Sequence, residues 1–181
     1  IQIQNEGTTD NLVLGNFIGT DPSGTSAWGN GTGIVILSGA QRNIIGGFIA
    51  GARNIVSGNT ENGIEIQDTG TISNQVLGNY IGTNVTGTVA LGNSLNGVIV
   101  RGGARGNIIG GGTASARNII GGNNIGVNIT DNGTTSNTVL GNYIGIDASG
   151  MFTVGNRFAG ILIYSGATNN IIGGETAGER N

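Results

Sequence analysis

An all-β parallel solenoid is the fold class this sequence predicts. Three observations predict it: a 63-residue repeat, short apolar strands of period two, and asparagine and glycine at fixed phase beside those strands. The triplet Leu14-Gly15-Asn16 returns as Leu77-Gly78-Asn79 and Leu140-Gly141-Asn142, each copy 63 residues after the last. Asn43-Ile44-Ile45-Gly46-Gly47 returns as Asn107-Ile108-Ile109-Gly110-Gly111 and Asn170-Ile171-Ile172-Gly173-Gly174, and Arg53-Asn54 as Arg117-Asn118 and Arg180-Asn181. One solenoid segment, 1–181, thus divides into the end of a preceding unit (1–10), two full units (11–73 and 74–136) and a partial third (137–181).

Each unit contains two rungs. Gly33-Ile34-Val35-Ile36, Gly63-Ile64-Glu65-Ile66, Gly97-Val98-Ile99-Val100, Gly126-Val127-Asn128-Ile129 and Gly160-Ile161-Leu162-Ile163 open successive rungs, and Ile1-Gln2-Ile3 opens another without its glycine. The starts at 1, 34, 64, 98, 127 and 161 give about six rungs of 29 to 34 residues. Period-two apolar runs bounded by Gly and Asn are strand signals, and no stretch holds a 3.6-residue period long enough for a helix. A leucine-rich frame, paired helices and four-stranded propeller blades are all missing, which leaves a parallel coil among the repeat folds.

Residues at equal phase must then stack about 4.8 Å apart, one rung above the next. The expected core is a set of aliphatic ladders. Ile34, Ile36, Ile64, Ile66, Val98, Val100, Val127, Ile129, Ile161 and Ile163 come from the first strand, and Val13, Ile45, Val76, Ile109, Val139 and Ile172 from the second. A third strand is expected to contribute Ile18, Ile81 and Ile144 in one rung type and Ile55 and Ile119 in the other. Long loops starting at Thr20-Asp21, Thr83-Asn84 and Ile146-Asp147 leave the coil in every second rung, which explains a repeat of two rungs.

Composition narrows the chemistry. The chain has 38 glycines, 4% aromatic residues and 36% hydrophobic residues, so it is ordered by regular aliphatic placement and not by bulky packing. A net charge of -3 with no lysine and only seven scattered arginines excludes nucleic acid as a partner. Without Cys or His there are no disulfides, no thiolate metal sites and no imidazole base. No apolar run approaches the roughly 18 residues of a membrane span, so direct membrane insertion is not expected.

Segments such as Gly15-Asn16-Phe17-Ile18-Gly19-Thr20-Asp21 and Asn43-Ile44-Ile45-Gly46-Gly47 carry a resemblance. The chain resembles the Asn/Gly-rich right-handed parallel β-helix repeats of secreted and surface-displayed bacterial proteins, over essentially its whole length. The resemblance implies right-handed coiling, in line with the general bias of parallel crossovers, and an extracellular or cell-surface location. It says little about activity, because the same coil serves polysaccharide lyases, adhesins, tailspikes and plain stalks.

Four asparagine columns recur at the repeat: Asn11, Asn74 and Asn137; Asn16, Asn79 and Asn142; Asn43, Asn107 and Asn170; Asn54, Asn118 and Asn181. A side-chain amide at a tight turn can bond local backbone and its equivalent one layer away, so these columns read as structural ladders. Gly110-Gly111-Gly112 lacks the Lys-Ser/Thr and helix of a phosphate cradle. Asp21 and Asp147 share a loop phase, but Asn84 replaces them in the middle unit and each loop offers one carboxylate, too few for a calcium site. Glu61, Glu65 and Asp68 come closest to a glycosidase pair; Glu65 faces outward, the next copy has Asn124, Asn128 and Asp131, and the set reads as a solvated strand face. No catalytic, cofactor or metal residue is assigned.

Arg53, Arg117 and Arg180 form a cationic column and Phe17, Tyr80 and Tyr143 an aromatic one. They could bind acidic sugars and stack on sugar rings, or close turns and cover a corner of the coil. Outward first-strand positions alternate between polar and apolar pairs, the apolar members being Val35, Leu37, Ile99, Leu162 and Tyr164, available for glycans or lateral contacts between solenoids. Thr130 alone satisfies the threonine pattern of an ice-binding face. Asn-x-Thr sequons occur at Asn30, Asn84, Asn128 and Asn132. Ile1 enters at the phase of Ile64 and Asn181 stops at the phase of Asn54, as if cut from a longer array, and uncapped solenoid ends expose strand edges. The expected function is a non-catalytic structural segment, fibre-forming by end-to-end stacking with copies of itself. A glycan-binding adhesin and a polysaccharide lyase or hydrolase are the alternatives.

Overall fold

The computed structural model describes residues 1–181. Its first two rungs are β1 (Gln2–Gln4), β2 (Leu12–Val13) and β3 (Phe17–Ile18), then β4 (Ile34–Leu37), β5 (Ile44–Gly46) and β6 (Ile55–Val56). The third and fourth are β7 (Ile64–Gln67), β8 (Gln75–Leu77) and β9 (Tyr80–Ile81), then β10 (Asn96–Arg101), β11 (Ile108–Gly110) and β12 (Ile119–Ile120). The fifth is β13 (Ile125–Ile129), β14 (Thr138–Leu140) and β15 (Tyr143–Ile144), and β16 (Ala159–Ile163) and β17 (Ile171–Ile172) begin a sixth. Equivalent strands pair in parallel into three sheets: β1-β4-β7-β10-β13-β16, β2-β5-β8-β11-β14-β17 and β3-β6-β9-β12-β15. The chain is therefore a three-sided parallel β-solenoid of five complete rungs and two-thirds of another.

A cluster of 20 buried residues, all aliphatic or alanine, fills the lumen. The register aligns Ile36 with Ile66, Ile66 with Val100 and Val100 with Ile129, and on the second side Ile45 with Val76 and Val76 with Ile109. β-branched side chains suit this place because their preferred rotamers stand upright on a pleated strand. Each such residue, fully buried, contributes roughly 1.5–3 kcal/mol of transfer free energy. Of the expected core members in the sixth rung, which stacks on one neighbour instead of two, Ile163 is 41% and Ile172 42% exposed.

The third side corrects one expectation. Ile18 pairs with Val56, Val56 with Ile81, Ile81 with Ile120 and Ile120 with Ile144, so Val56 and Ile120 point inward. Ile55 and Ile119 align instead with Phe17, Tyr80 and Tyr143 on the outer face. There Ile55, Tyr80 and Ile119 form a second small cluster under Val85, Tyr143 and Ala148.

Odd and even rungs differ at their corners. In odd rungs the second and third strands are joined by Leu-Gly-Asn, and in even rungs by a longer link holding a 3-10 turn, Ala50–Ala52, Ala114–Ala116 or Ala177–Glu179. The two fit together: Gly15 N–H donates to Ala52, Gly78 to Ala116 and Gly141 to Glu179, each to a carbonyl 3.0–3.2 Å away. Gly78 has φ of 68°, and a Cβ there would lie 2.2 Å from the Gly47 carbonyl oxygen, so only glycine fits. At another corner, alanine in even rungs (Ala40, Ala104) alternates with threonine in odd ones, and the Thr71 and Thr134 hydroxyls accept from Gly39 and Gly103 N–H at 3.0 Å.

Candidate functional site: asparagine ladders and the arginine corner

The four asparagine columns merge into two unbroken ladders. One runs Asn11, Asn43, Asn74, Asn107, Asn137 and Asn170, and the other Asn16, Asn54, Asn79, Asn118, Asn142 and Asn181. In each step both the backbone N–H and the side-chain amide of one asparagine donate to Oδ1 of the next. For Asn74 and Asn107 the distances are 2.9 and 3.1 Å. The remaining amide proton reaches a carbonyl of the preceding layer, on a strand in the second ladder, as from Asn79 to Ile45 at 2.8 Å and from Asn118 to Val76 at 2.8 Å, and at a corner in the first, as from Asn74 to Ala40 at 3.1 Å. Every polar group at these dry corners thereby has a partner, which a buried turn requires.

A third ladder was not anticipated: Asn30, Asn59, Asn93, Asn123 and Asn156. Its signal was in the sequence as Gly-Asn at 29–30, 58–59, 92–93, 122–123 and 155–156, interleaved with the Leu-Gly-Asn triplets. All three ladders share one direction. Side-chain amides donate toward the C-terminal layers and oxygens accept from the N-terminal ones.

Arg53 and Arg117 combine with the aromatic column. The Arg53 guanidinium lies 4.0 Å from the Tyr80 ring centroid and Arg117 3.9 Å from that of Tyr143, while their Nε atoms donate to Gly78 and Gly141 carbonyls. Tyr80 is only 9% exposed, so one of its faces is occupied by arginine; Phe17 is 47% exposed. Gly24 and Gly87 of the long loops lie against the Phe17 and Tyr80 rings, where a Cβ would come within 3.1 Å. The loops also bond to each other across the intervening rung, from Val85 N–H to Gly24 and from Ala148 N–H to Gly87.

The outer face of the first sheet corrects the solvated reading of Glu65. Its carboxylate is buried, pairs with Arg101 and accepts from the Asn62 amide at 3.0 Å. Asn62 in turn accepts from Asn96 and Asn96 from Asn128, an amide relay that ends on a negative charge. Asn128 is itself buried, and its Oδ1 has no partner. Glu61 accepts from Thr32 at 3.2 Å, and Asp68 holds the turn of the rung before it by accepting from Ser38 N–H and Oγ. The three carboxylates thus have separate structural partners. Of the outward apolar residues, Ile99 is buried between its neighbours, Val35, Leu37 and Leu162 are half-buried, and Tyr164 is exposed.

Asp21 and Asp147 cap their own loops. Asp21 accepts from Ser23 Oγ, Thr25 N–H and Ser26 N–H, and Asp147 from Ser149 Oγ, Met151 N–H and Phe152 N–H. These hydrogen bonds, the serine hydroxyl first, hold both carboxyls below the usual carboxylate range. Asn84 makes the same set through its amide oxygen, which is why Asn and Asp interchange here. No group of three acidic or other metal-binding side chains converges anywhere in the chain, and no helix is long and apolar enough to cross a membrane. Comparison with protein-family models, curated proteins and solved structures finds no match to this chain.

Proposed function

We propose that the chain is a non-catalytic structural segment of a secreted or surface-exposed β-solenoid, and that its rungs extend end to end into a fibre. The observation that carries this reading is the shared direction of the three asparagine ladders. A layer that accepts on one side and donates on the other matches a further layer of its own kind head to tail, and such heterologous contacts propagate without closing. The carboxylates of Glu61, Glu65, Asp68, Asp21 and Asp147 are bonded into turns, loops or the sheet face. Sizing and electron microscopy of the segment over a range of concentrations test the proposal. Filaments with a rung-scale axial repeat and a concentration-dependent mass are expected; a strictly monomeric species at every concentration rejects end-to-end stacking.

A further inference from the structure

Beside the outer face of the third sheet, between the long loops and the first 3-10 turn, lies a cavity of about 230 Å³ lined by Gly15, Phe17, Gly51, Arg53, Ile55 and Val85. Three features define it as a site, the first two of which Arg117 shares at the equivalent corner. Arg53 has no carboxylate partner, unlike Arg42 and Arg101, and its only hydrogen bond is from Nε. Its guanidinium is held in place by the Tyr80 ring, so little side-chain freedom remains to be lost on binding. Opposite it the lining is apolar, formed by Ile55, Val85 and the half-exposed ring of Phe17.

We propose that this cavity binds a carboxylate-bearing pyranose residue, an acidic sugar. The carboxylate takes the planar donors of Arg53, and a C–H face of the ring lies against Phe17, Ile55 and Val85. At about 230 Å³ and open on one side, the cavity has room for one sugar residue. An extended acidic peptide is a poorer fit, because β6 is already paired with β3 and β9 and offers no free edge to a bound strand. Bulk attraction of polyanions does not produce the site either, since the chain carries a net charge of -3. The arginine therefore acts locally, on a ligand that brings its own charge and an apolar face.

Nuclear magnetic resonance titration of the intact chain with methyl galacturonide tests the proposal, with neutral methyl galactoside and N-acetyl-aspartate amide as parallel probes. Saturable shifts at the Phe17 ring and the Gly15 and Gly51 amides are expected from the uronide alone, in the millimolar range. Arg53→Gln and Val85→Phe each abolish them, and Arg157→Gln, at an exposed arginine on another corner, leaves them unchanged. Val85→Phe fills the cavity and keeps Arg53, and Tyr80 ring resonances unchanged in the free variant show that its loss of binding reports the site and not the fold. The proposal is overturned by unsaturable shifts, by equal shifts from either control probe, by equal loss in Arg157→Gln, or by retained binding in Val85→Phe.

Discussion

Replacing Asn79 by alanine tests the ladder at its middle. Asn79 Oδ1 accepts from the backbone N–H of Asn54 at 3.2 Å and from its side-chain amide at 2.9 Å, and Asn54 is fully buried. The substitution leaves both donors without an acceptor in a place water does not reach. At about 1–3 kcal/mol for each orphaned buried donor, the expected loss is roughly 2–6 kcal/mol. Asn16→Ala is the control. Asn16 donates to Asn54 Oδ1 at 2.9 and 3.0 Å, but no layer donates to its own oxygen, so its replacement strands no buried donor and costs about 1 kcal/mol. Urea unfolding gives the two losses, and hydrogen exchange at the Asn54 amide locates the damage. Equal losses for the two variants, or unchanged protection at Asn54, refute the argument. Asn79→Asp adds a signed test: the new carboxylate faces the oxygens of Ile45, Leu77 and Asn118, which raises its folded pKa. That variant is relatively most stable below the unfolded carboxylate value of about 4, and the advantage disappears as pH rises through the raised folded value.

The loops provide a pH test with its own control. Because the carboxyls of Asp21 and Asp147 are depressed, the order they confer is present above about pH 4 and lost as pH falls through their folded values. Amide exchange at Thr25, Ser26, Met151 and Phe152 should therefore accelerate in acid while Thr88 and Val89, bonded to Asn84, do not change; parallel behaviour of all three loops contradicts the assignment. Gly110→Ala places a Cβ 2.0 Å from the Leu140 carbonyl oxygen at φ of 92° and should cost roughly 2–6 kcal/mol. Gly51→Ala, with nothing within 4 Å, should stay within about 0.5 kcal/mol in the same thermal melts. Ile81→Ala opens the dry lumen and should destabilise by roughly 2–5 kcal/mol, against a smaller loss for Ile163→Ala at 41% exposure, both read from urea midpoints.

The coil itself was legible because stacking forces equal residues to equal phase, and a repeat of phase is what a sequence displays most directly. On the first two sides some rungs carry a polar residue beside the inward one, as in Ile64-Glu65-Ile66, Gln75-Val76 and Thr138-Val139, and these set the phase for the unbroken aliphatic rungs. The third did not: Ile55-Val56 and Ile119-Ile120 are two-residue strands of consecutive aliphatics, and alternation cannot say which member faces inward. The asparagine columns were visible as columns, yet their merging needed the knowledge that Asn43 lies directly above Asn11, which depends on pairing between unlike rungs. Burial of Glu65 was hidden for another reason. Its partners Asn62 and Arg101 lie 3 residues before it on its own rung and on the next rung, so the local pattern around Glu65 looks like an ordinary polar strand face. The Arg53 cavity has no signature of its own, being bounded by a loop, a turn and a sheet from three different rungs.

The bonds from Val85 to Gly24 and from Ala148 to Gly87 span two rungs, over a layer that contributes no long loop of its own. A coil stitched in this way can change length by duplication or loss only in steps of two rungs. Deleting an even rung would leave a Leu-Gly-Asn glycine with no 3-10 turn to receive it and two long loops on adjacent layers with no spacer between them. Loss of 63 residues, by contrast, rejoins every ladder, corner and loop with its own kind. The unit that recombination can copy without penalty is thus larger than the unit that folds as one turn.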